Sequence, residues 1–492
     1  MRWGAAQQPL PSPGKGKVMF DYDEKTTNYI KGLIERARVA QAEYADYTQE
    51  QYNKVARACA KVVYDNAQML AEEAVEETRM GTVEGKVLKM KAAMVSQWHY
   101  TKDKISKGIV GWEQGKLDVD CILKIAKPVG VIAAVMPSTN PTTNMGANAM
   151  QALKGGNAII VCPHPRATKV SLHCADLMRE AITALGAPAD LVLCVEEPTI
   201  EMTQAAMHYT DLVMATGGTG IVEAANSSGN PSLGVGQGNC QVIIDKGMEE
   251  KFDELAAAAV VNRAWDSGIP CTGEQSIIMP ACDEEAVFAA FERNGAFVIR
   301  DEAQVDLIRK ALFNVDENGK YTLNRDHVGK PVQDLGRAVG IEVPEDKQVL
   351  MLKVTKYGTD EPLCREKLCP VSAAISYEGD WEEAISIAKK NLLMEGAGHS
   401  SDIYTKSEEK QIYAGKELPV CRLIINNSNS VVGGEPYFTN GMIATSGVGC
   451  GIWQKNILSE NLNFSHLLNY TRMYYTVPGK ETPTDEEIWA ES

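Results

Sequence analysis

Residues 267–276 read Ser-Gly-Ile-Pro-Cys-Thr-Gly-Glu-Gln-Ser and place Cys271 in a tight turn between a predicted helix and a predicted strand. The small neighbours leave room for a substrate. As a thiolate, Cys271 would be a strong nucleophile if its pKa were lowered; otherwise it is one more small buried hydrophobe. Residues 136–142, Met-Pro-Ser-Thr-Asn-Pro-Thr, follow an apolar run. Ligands of open α/β sheets bind at the carboxyl ends of strands. The amide of Asn140 could there donate to a developing oxyanion, although Asn-Pro alone is also an ordinary turn.

Two glycine clusters follow. Residues 215–220, Ala-Thr-Gly-Gly-Thr-Gly, leave a strand and open a helix. Glycines there let backbone N–H groups approach a phosphate. The spacing is neither G-x-G-x-x-G nor a lysine-bearing P-loop, so a plain tight turn fits equally. Residues 234–239, Gly-Val-Gly-Gln-Gly-Asn, are a backbone platform or a flexible connection before a strand. Glu366 in Arg-Glu-Lys-Leu-Cys-Pro and His399 in Gly-Ala-Gly-His-Ser are isolated polar residues. A lone Glu is usually a solvated charge, and a lone His is usually structural.

These residues lie in a chain of 492, of which 44% are hydrophobic and 23% charged. That composition excludes disordered, collagen-like and coiled-coil proteins. The longest uncharged apolar run, 129–136, is far short of the ~20 residues of a spanning helix, so no membrane association is expected. Lys and Arg number 49 against 65 Asp and Glu, a net charge of −16. Such a surface repels phosphate backbones and excludes nucleic acid as the main partner. The twelve cysteines are expected as free thiols in a reducing cytoplasm, because no secretory leader is apparent. Cys364 and Cys369 have C-x4-C spacing, but no second ligand pair follows, and no metal is expected.

The elements that must position these residues are legible in outline. A flexible leader is expected over 1–22. From 26 to 80 apolar residues recur at helical spacing: Ile30, Leu33, Ile34, Ala37, then Val55, Ala58, Val62 and Val63. Thr48 is the expected cap between two helices. A third helix is expected over 86–98 and an exposed hairpin over 108–127. Short apolar runs then alternate with helices: strands at 129–136, 158–162, 191–195 and 212–215, and helices at 144–154, 168–185, 200–207 and from 221. This predicts a doubly wound α/β sheet. A second α/β region begins near 241, with strands at 242–244, 276–279, 349–352 and 420–425 and helices at 250–265, 284–294, 302–312 and 381–390. The glycine-rich stretch 433–451 is expected to loop back to a site.

Taken together, PSTNPT, CPHPRA, ATGGTG, GVGQGN, the Cys271 turn, REKLCP, EGAGHSS and GCGIWQKN resemble the aldehyde dehydrogenase superfamily, in this order and at these separations. More narrowly they resemble its CoA-acylating branch, and most of all the succinate-semialdehyde and sulfoacetaldehyde dehydrogenases of that type. The likeness spans about 31–489. It implies an α/β fold with a Rossmann-type cofactor domain (23–107 and 127–240) and a catalytic domain (241–435) carrying the nucleophile. It implies oligomerisation elements at 108–126 and 455–475, and C-terminal return segments at 436–454 and 476–492. It implies that Cys271 is the nucleophile and that Asn140 and the Cys271 backbone N–H form the oxyanion hole. His399 is the third catalytic candidate, a residue that could in principle activate water in place of a general-base Glu. Thr139, His164, Gly217, Gly218, Thr219, Gly234 and Glu366 would lie along the cofactor, with Glu366 on the nicotinamide ribose.

Two departures inform the reaction. Hydrolytic members carry a general-base Glu where this chain has Gly234. Without a base, water attacks a thioester slowly, whereas a second thiol attacks well. The resemblance therefore implies acyl transfer to coenzyme A: aldehyde + CoA + NAD(P)⁺ ⇌ acyl-CoA + NAD(P)H + H⁺. At Cys162-Pro163-His164-Pro165 the Lys and Glu that hydrolytic members place around the adenosine ribose are absent, which leaves NAD versus NADP open. The implied substrate is a short aldehyde: succinate semialdehyde first, sulfoacetaldehyde second, acetaldehyde third. Arg422 is a candidate for an anionic tail, but a strand arginine is ordinarily expected in a salt bridge. The implied protein is a cytoplasmic homodimer or homotetramer, with a bacterial microcompartment as the alternative address. An alcohol dehydrogenase would be a separate chain. A hydrolytic aldehyde dehydrogenase, an acyl-phosphate reductase and a non-catalytic dinucleotide-binding protein are the rival readings.

Overall fold

The computed structural model describes residues 22–428, 438 and 441–490. The expected leader, apart from its last residue, lies outside them, as does part of the glycine-rich stretch 433–451. Four helices come first: Glu24–Tyr44, Gln49–Asp65, Ala67–Thr78 and Val83–Thr101. Ile30, Leu33, Ile34, Ala37, Val55 and Val63 are buried, as their spacing requires. Thr48 caps the second helix. Its Oγ1 accepts from Gln51 N at 3.2 Å, and its own N donates to Gln51 Oε1 at 2.8 Å. The sequence reading missed the break at Asn66, so the helix expected third is the fourth.

Five parallel strands form the first sheet, in the order Val192–Cys194, Ala158–Cys162, Val131–Val135, Leu212–Thr216, Ser232–Val235. The chain starts in the middle, winds outward to one edge, and returns to build the other. The direction of winding reverses between Val131–Val135 and Leu212–Thr216, which are paired neighbours. Loops leaving the carboxyl ends of two such strands diverge and open a crevice. The segments leaving these two strands carry Thr139 and Asn140 on one side and Gly217 and Gly218 on the other.

Seven parallel strands form the second sheet, in the order Ala296–Ile299, Val349–Lys353, Val371–Tyr377, Glu274–Pro280, Cys240–Ile244, Gly398–Tyr404, Val420–Ile425. Alternate residues of one strand serve opposite faces. Ile243, Ile278 and Leu350 join one apolar core, while Val242, Ile244, Ile277, Met279, Val349 and Met351 join the other. Both faces are covered, which is why 242–244 and 349–352 read as unbroken apolar runs. Three of the seven, Ala296–Ile299, Val371–Tyr377 and Gly398–Tyr404, were not expected.

A third, antiparallel sheet stands apart from both. Gly108–Gln114 pairs with Asp120–Pro128, and Leu468–Tyr474 adds to the free edge of the latter. Ile109, Trp112, Met473, Tyr474 and Tyr475 on these strands and just beyond are exposed. All twelve cysteines are free thiols.

Candidate active site

Cys271 is delivered by a strained turn. Asp266, Ser267 and Gly268 take φ values of 46°, 53° and 75° in succession. Two consecutive non-glycine residues in the left-handed region persist only where the surroundings over-determine them. Here the helix Val83–Thr101 supplies the constraint. Asp266 Oδ2 accepts from Lys86 Nζ at 3.2 Å and also from Lys89 Nζ, and Asp266 Oδ1 accepts from Thr82 N at 2.9 Å. Gly85 allows the close approach, since a Cβ there would fall 2.8 Å from Asp266 Cα. Trp265 Nε1 donates to Gly85 O at 2.9 Å. Two buried lysines thus share one carboxylate, and burial, then the neighbouring Lys89, push the Lys86 ammonium down to about 8.

Cys271 faces His399, which lies on the strand Gly398–Tyr404. His399 Nε2 is 3.2 Å from Cys271 Sγ, and His399 Nδ1 is 2.8 Å from Ser400 Oγ. His399 is fully buried. Burial, and then the Arg422 charge, push its imidazole down to about 3, so the ring is neutral. Burial, and then the Glu366 carboxyl, push the Cys271 thiol up to about 12. Arg422, a backbone hydrogen bond and Lys89 pull the other way. The resting pair is thus a neutral thiol against a neutral imidazole. With the ring proton on Nδ1 toward Ser400, Nε2 accepts the thiol proton, the arrangement a general base needs.

Gly238 forms the back wall. A Cβ on it would lie 2.1 Å from the Cys271 carbonyl oxygen, and its N–H donates to Glu366 Oε1 at 3.1 Å. The 234–239 run is therefore a fixed platform rather than a flexible connection. Glu366 is buried, not solvated. Burial, and then Glu395, raise it to about 8, and its own N–H donates to Glu395 Oε2 at 2.8 Å. The 234–239 run precedes the strand Cys240–Ile244, as expected, and its first residues, Gly234 and Val235, close the strand Ser232–Val235. A Cβ on Gly234 would fall 2.9 Å from Val222 Cγ1, so a larger side chain has no ready room.

Asn140 is the N-cap residue of Pro141–Lys154, yet its side chain makes no cap bond, and its buried Oδ1 has no partner. The amide is not consumed by the turn. Lys86 Nζ also donates to Thr139 O at 3.1 Å, so one ammonium ties the Asn140 loop to the Cys271 turn. Across the crevice, the helix Thr219–Asn226 begins at Gly218 without a side-chain cap. A Cβ on Gly218 would meet nothing within 4 Å. The open glycine and the uncapped helix start suit the pyrophosphate of a dinucleotide. Thr219 Oγ1 donates to Gln237 Oε1 at 3.0 Å, which joins this loop to the platform. His164 stands after the strand Ala158–Cys162, half-buried, its Nδ1 accepting from Arg166 N at 3.1 Å. Burial, then Arg166 and Arg325, push its imidazole down. No hydrogen bond joins it to the Cys271 cluster.

The structure thus gathers Cys271, His399, Gly238 and Glu366 directly, and Thr139 and Asn140 through Lys86 and Asp266. Lys86, Lys89 and Asp266 escaped the sequence reading. Their only signal is two lysines three apart on a helix, which ordinarily marks a solvated face. Among the described residues Arg422 is not in the expected salt bridge: Nε and Nη2 are buried without hydrogen-bond partners, and Nη1 donates to Met442 Sδ at 3.8 Å.

Residues 3–293 match the aldehyde dehydrogenase family. The succinate-semialdehyde dehydrogenase (acetylating) of Clostridium kluyveri is 44% identical over 94% of this chain and 98% of its own. The chain belongs to the aldehyde dehydrogenase family. Among solved structures, an acetylating aldehyde dehydrogenase from Geobacillus thermoglucosidasius superposes with a TM-score of 0.85 at 32% identity, covering 94% of this chain and 99% of that one. A Rhodopseudomonas palustris propionaldehyde dehydrogenase, solved with bound CoA and an acylated cysteine, gives 0.77 at 25% identity over 90% and 96%.

Proposed function

We propose that this family member is a CoA-acylating aldehyde dehydrogenase running aldehyde + CoA + NAD(P)⁺ ⇌ acyl-CoA + NAD(P)H + H⁺. The observation that carries the reading is the contact between Cys271 and His399 beside a platform whose residue 234 has no carboxylate. His399 Nε2 takes the thiol proton, and the thiolate attacks the aldehyde carbon. The resulting oxyanion receives hydrogen bonds from the Asn140 amide and the Cys271 backbone N–H. The dinucleotide, held by Gly217, Gly218 and Thr219 with His164 toward its adenosine end and Thr139, Gly234 and Glu366 toward its nicotinamide end, supplies the hydride acceptor when bound. Cys271 is left as a thioester. With no base at 234 to activate water, the CoA thiol attacks the acyl carbon and Cys271 leaves. His399 is the group placed to move the proton.

The relative of Clostridium kluyveri favours succinate semialdehyde as the aldehyde. The acyl-cysteine and CoA of the Rhodopseudomonas palustris structure favour the thioester route. Exposed apolar side chains on the three-stranded sheet favour a homodimer or homotetramer built through it. Among the described residues no helix is long and apolar enough to cross a membrane, and the reading keeps the cytoplasm or a bacterial microcompartment as the site of action. NADH and NADPH formation over a panel of aldehydes, with and without CoA and with product analysis, tests the reading. Acyl-CoA as product supports it; free acid formed equally well without CoA defeats it.

A further inference from the structure

The seven-stranded sheet ends on Val420–Ile425, and Arg422 of that strand lies in register with Ser400. Ser400 Oγ touches His399 Nδ1, and His399 Nε2 touches Cys271 Sγ. The guanidinium therefore stands one strand away from the thiol–imidazole pair. Arg422 is only 7% exposed. Among the described residues no carboxylate lies within ion-pair distance of it. Its Nε and Nη2 make no hydrogen bond, and a thioether sulfur is the one contact of Nη1. Arg263, buried as deeply, differs on this edge: its Nε and Nη2 donate to the carbonyls of Val371 and Cys369, and only its Nη1 lacks a partner. A buried cation without a counter-charge is costly, and each unpaired buried donor calls for an explanation. Its field bears on the reactive pair, favouring the thiolate of Cys271 and disfavouring a second cation on His399.

Nε and Nη2 form one edge of the guanidinium, the fork that grips a carboxylate through two parallel N–H···O bonds. We propose that Arg422 is a specificity-determining residue that binds the terminal anionic group, carboxylate or sulfonate, of a short aldehyde whose carbonyl carbon is attacked by Cys271. This rests on the acylating reading above and names the substrate class of that site. A neutral aldehyde leaves the fork as it is, unpaired. An anionic one satisfies both free donors and supplies the missing counter-charge.

The test compares kcat/KM for succinate semialdehyde, sulfoacetaldehyde and butanal in the wild type, Arg422→Met and Arg422→Lys. The wild type prefers its anionic aldehyde to butanal, and Arg422→Met lowers that preference about 10–100-fold, the worth of a charged hydrogen-bond pair. Arg422→Lys keeps part of it, having the charge without the fork. Whichever anion loses more in Arg422→Met is the one the site takes. A second readout needs no turnover: the ratio of Cys271 alkylation rates with iodoacetate and iodoacetamide falls about tenfold in Arg422→Met, for the same loss of charge pairing. An unchanged aldehyde preference and an unchanged alkylation ratio overturn the proposal. If the alkylation ratio falls but no aldehyde yields acyl-CoA, the anion site stands and the acylating reading fails.

Discussion

His399 Nε2 lies 3.2 Å from Cys271 Sγ, although the two residues are 128 positions apart, His399 on the strand Gly398–Tyr404 and Cys271 in the turn that leads into Glu274–Pro280. Neither is charged at rest, because burial holds the thiol high and the imidazole low. Proton transfer between them therefore waits for a partner that stabilises the thiolate, and a bound aldehyde accepting the sulfur's electron pair is such a partner.

His399→Ala accordingly removes the base and leaves a cavity where the buried ring stood. Acyl-CoA formation falls about 10²–10⁴-fold, the usual worth of a general base, while the melting temperature falls moderately and the circular dichroism spectrum stays near that of the wild type. Steady-state rates with and without added imidazole check it, since external imidazole should restore part of the loss.

Asn140→Ala folds normally and loses about 10²–10³-fold in kcat, the cost of one oxyanion donor. The side chain makes no cap bond for its helix, so its removal leaves the helix start intact. A rate equal to the wild type would return Asn140 to the role of a turn residue.

Lys89→Met leaves Asp266 paired with Lys86 and with Thr82 N, so the strained turn keeps its anchor. It removes one of the cations that pull the Cys271 thiol down. Alkylation of Cys271 by iodoacetamide at fixed pH slows, about tenfold for each pH unit by which the thiol titration rises. The pH profile of the alkylation rate measures that displacement directly.

Glu366 sets a pH dependence of stability. Burial, and then Glu395, raise its carboxyl from the ordinary value to about 8, so the folded chain holds a proton that the unfolded chain has released. The stability carried by that neutral carboxyl is full below the ordinary carboxylate range and is lost as pH rises through about 8. Glu366→Gln keeps an acceptor for Gly238 N–H and removes the titration. Its melting temperature, matched to the wild type in acid, exceeds it by a margin that grows up to about pH 9. Thermal melts across that range check the sign.

The legible parts of the fold are those where one segment's own composition decides. Val131–Val135 and Ala158–Cys162 are apolar throughout because helices cover both faces of their sheet, and they read as strands on sight. Gly398–Tyr404 did not, although it carries His399. Its Gly-His-Ser-Ser-Asp start looks like a loop, and only tertiary partners make those polar side chains tolerable in a buried strand. The same limit hid the Asp266 anchor, whose lysines lie 177 and 180 positions away. Cys271, Asn140 and Glu366 could be named from their motifs, but that Glu366 is buried against Glu395, and that Arg422 has no salt bridge, follow only from packing.

The acylating assignment turns on what happens to the acyl group when CoA is withheld. Gly234 carries no carboxylate, and Val222 fills the space its side chain would need. Wild-type protein mixed with aldehyde and NAD(P)⁺, but no CoA, should give a burst of about one NAD(P)H per Cys271 followed by a slow phase. Added CoA should then restore steady turnover to acyl-CoA, and Cys271→Ala should show neither phase. Rapid repeated turnover without CoA, releasing free acid, would place an effective water-activating base elsewhere in the site and contradict the acylating mechanism.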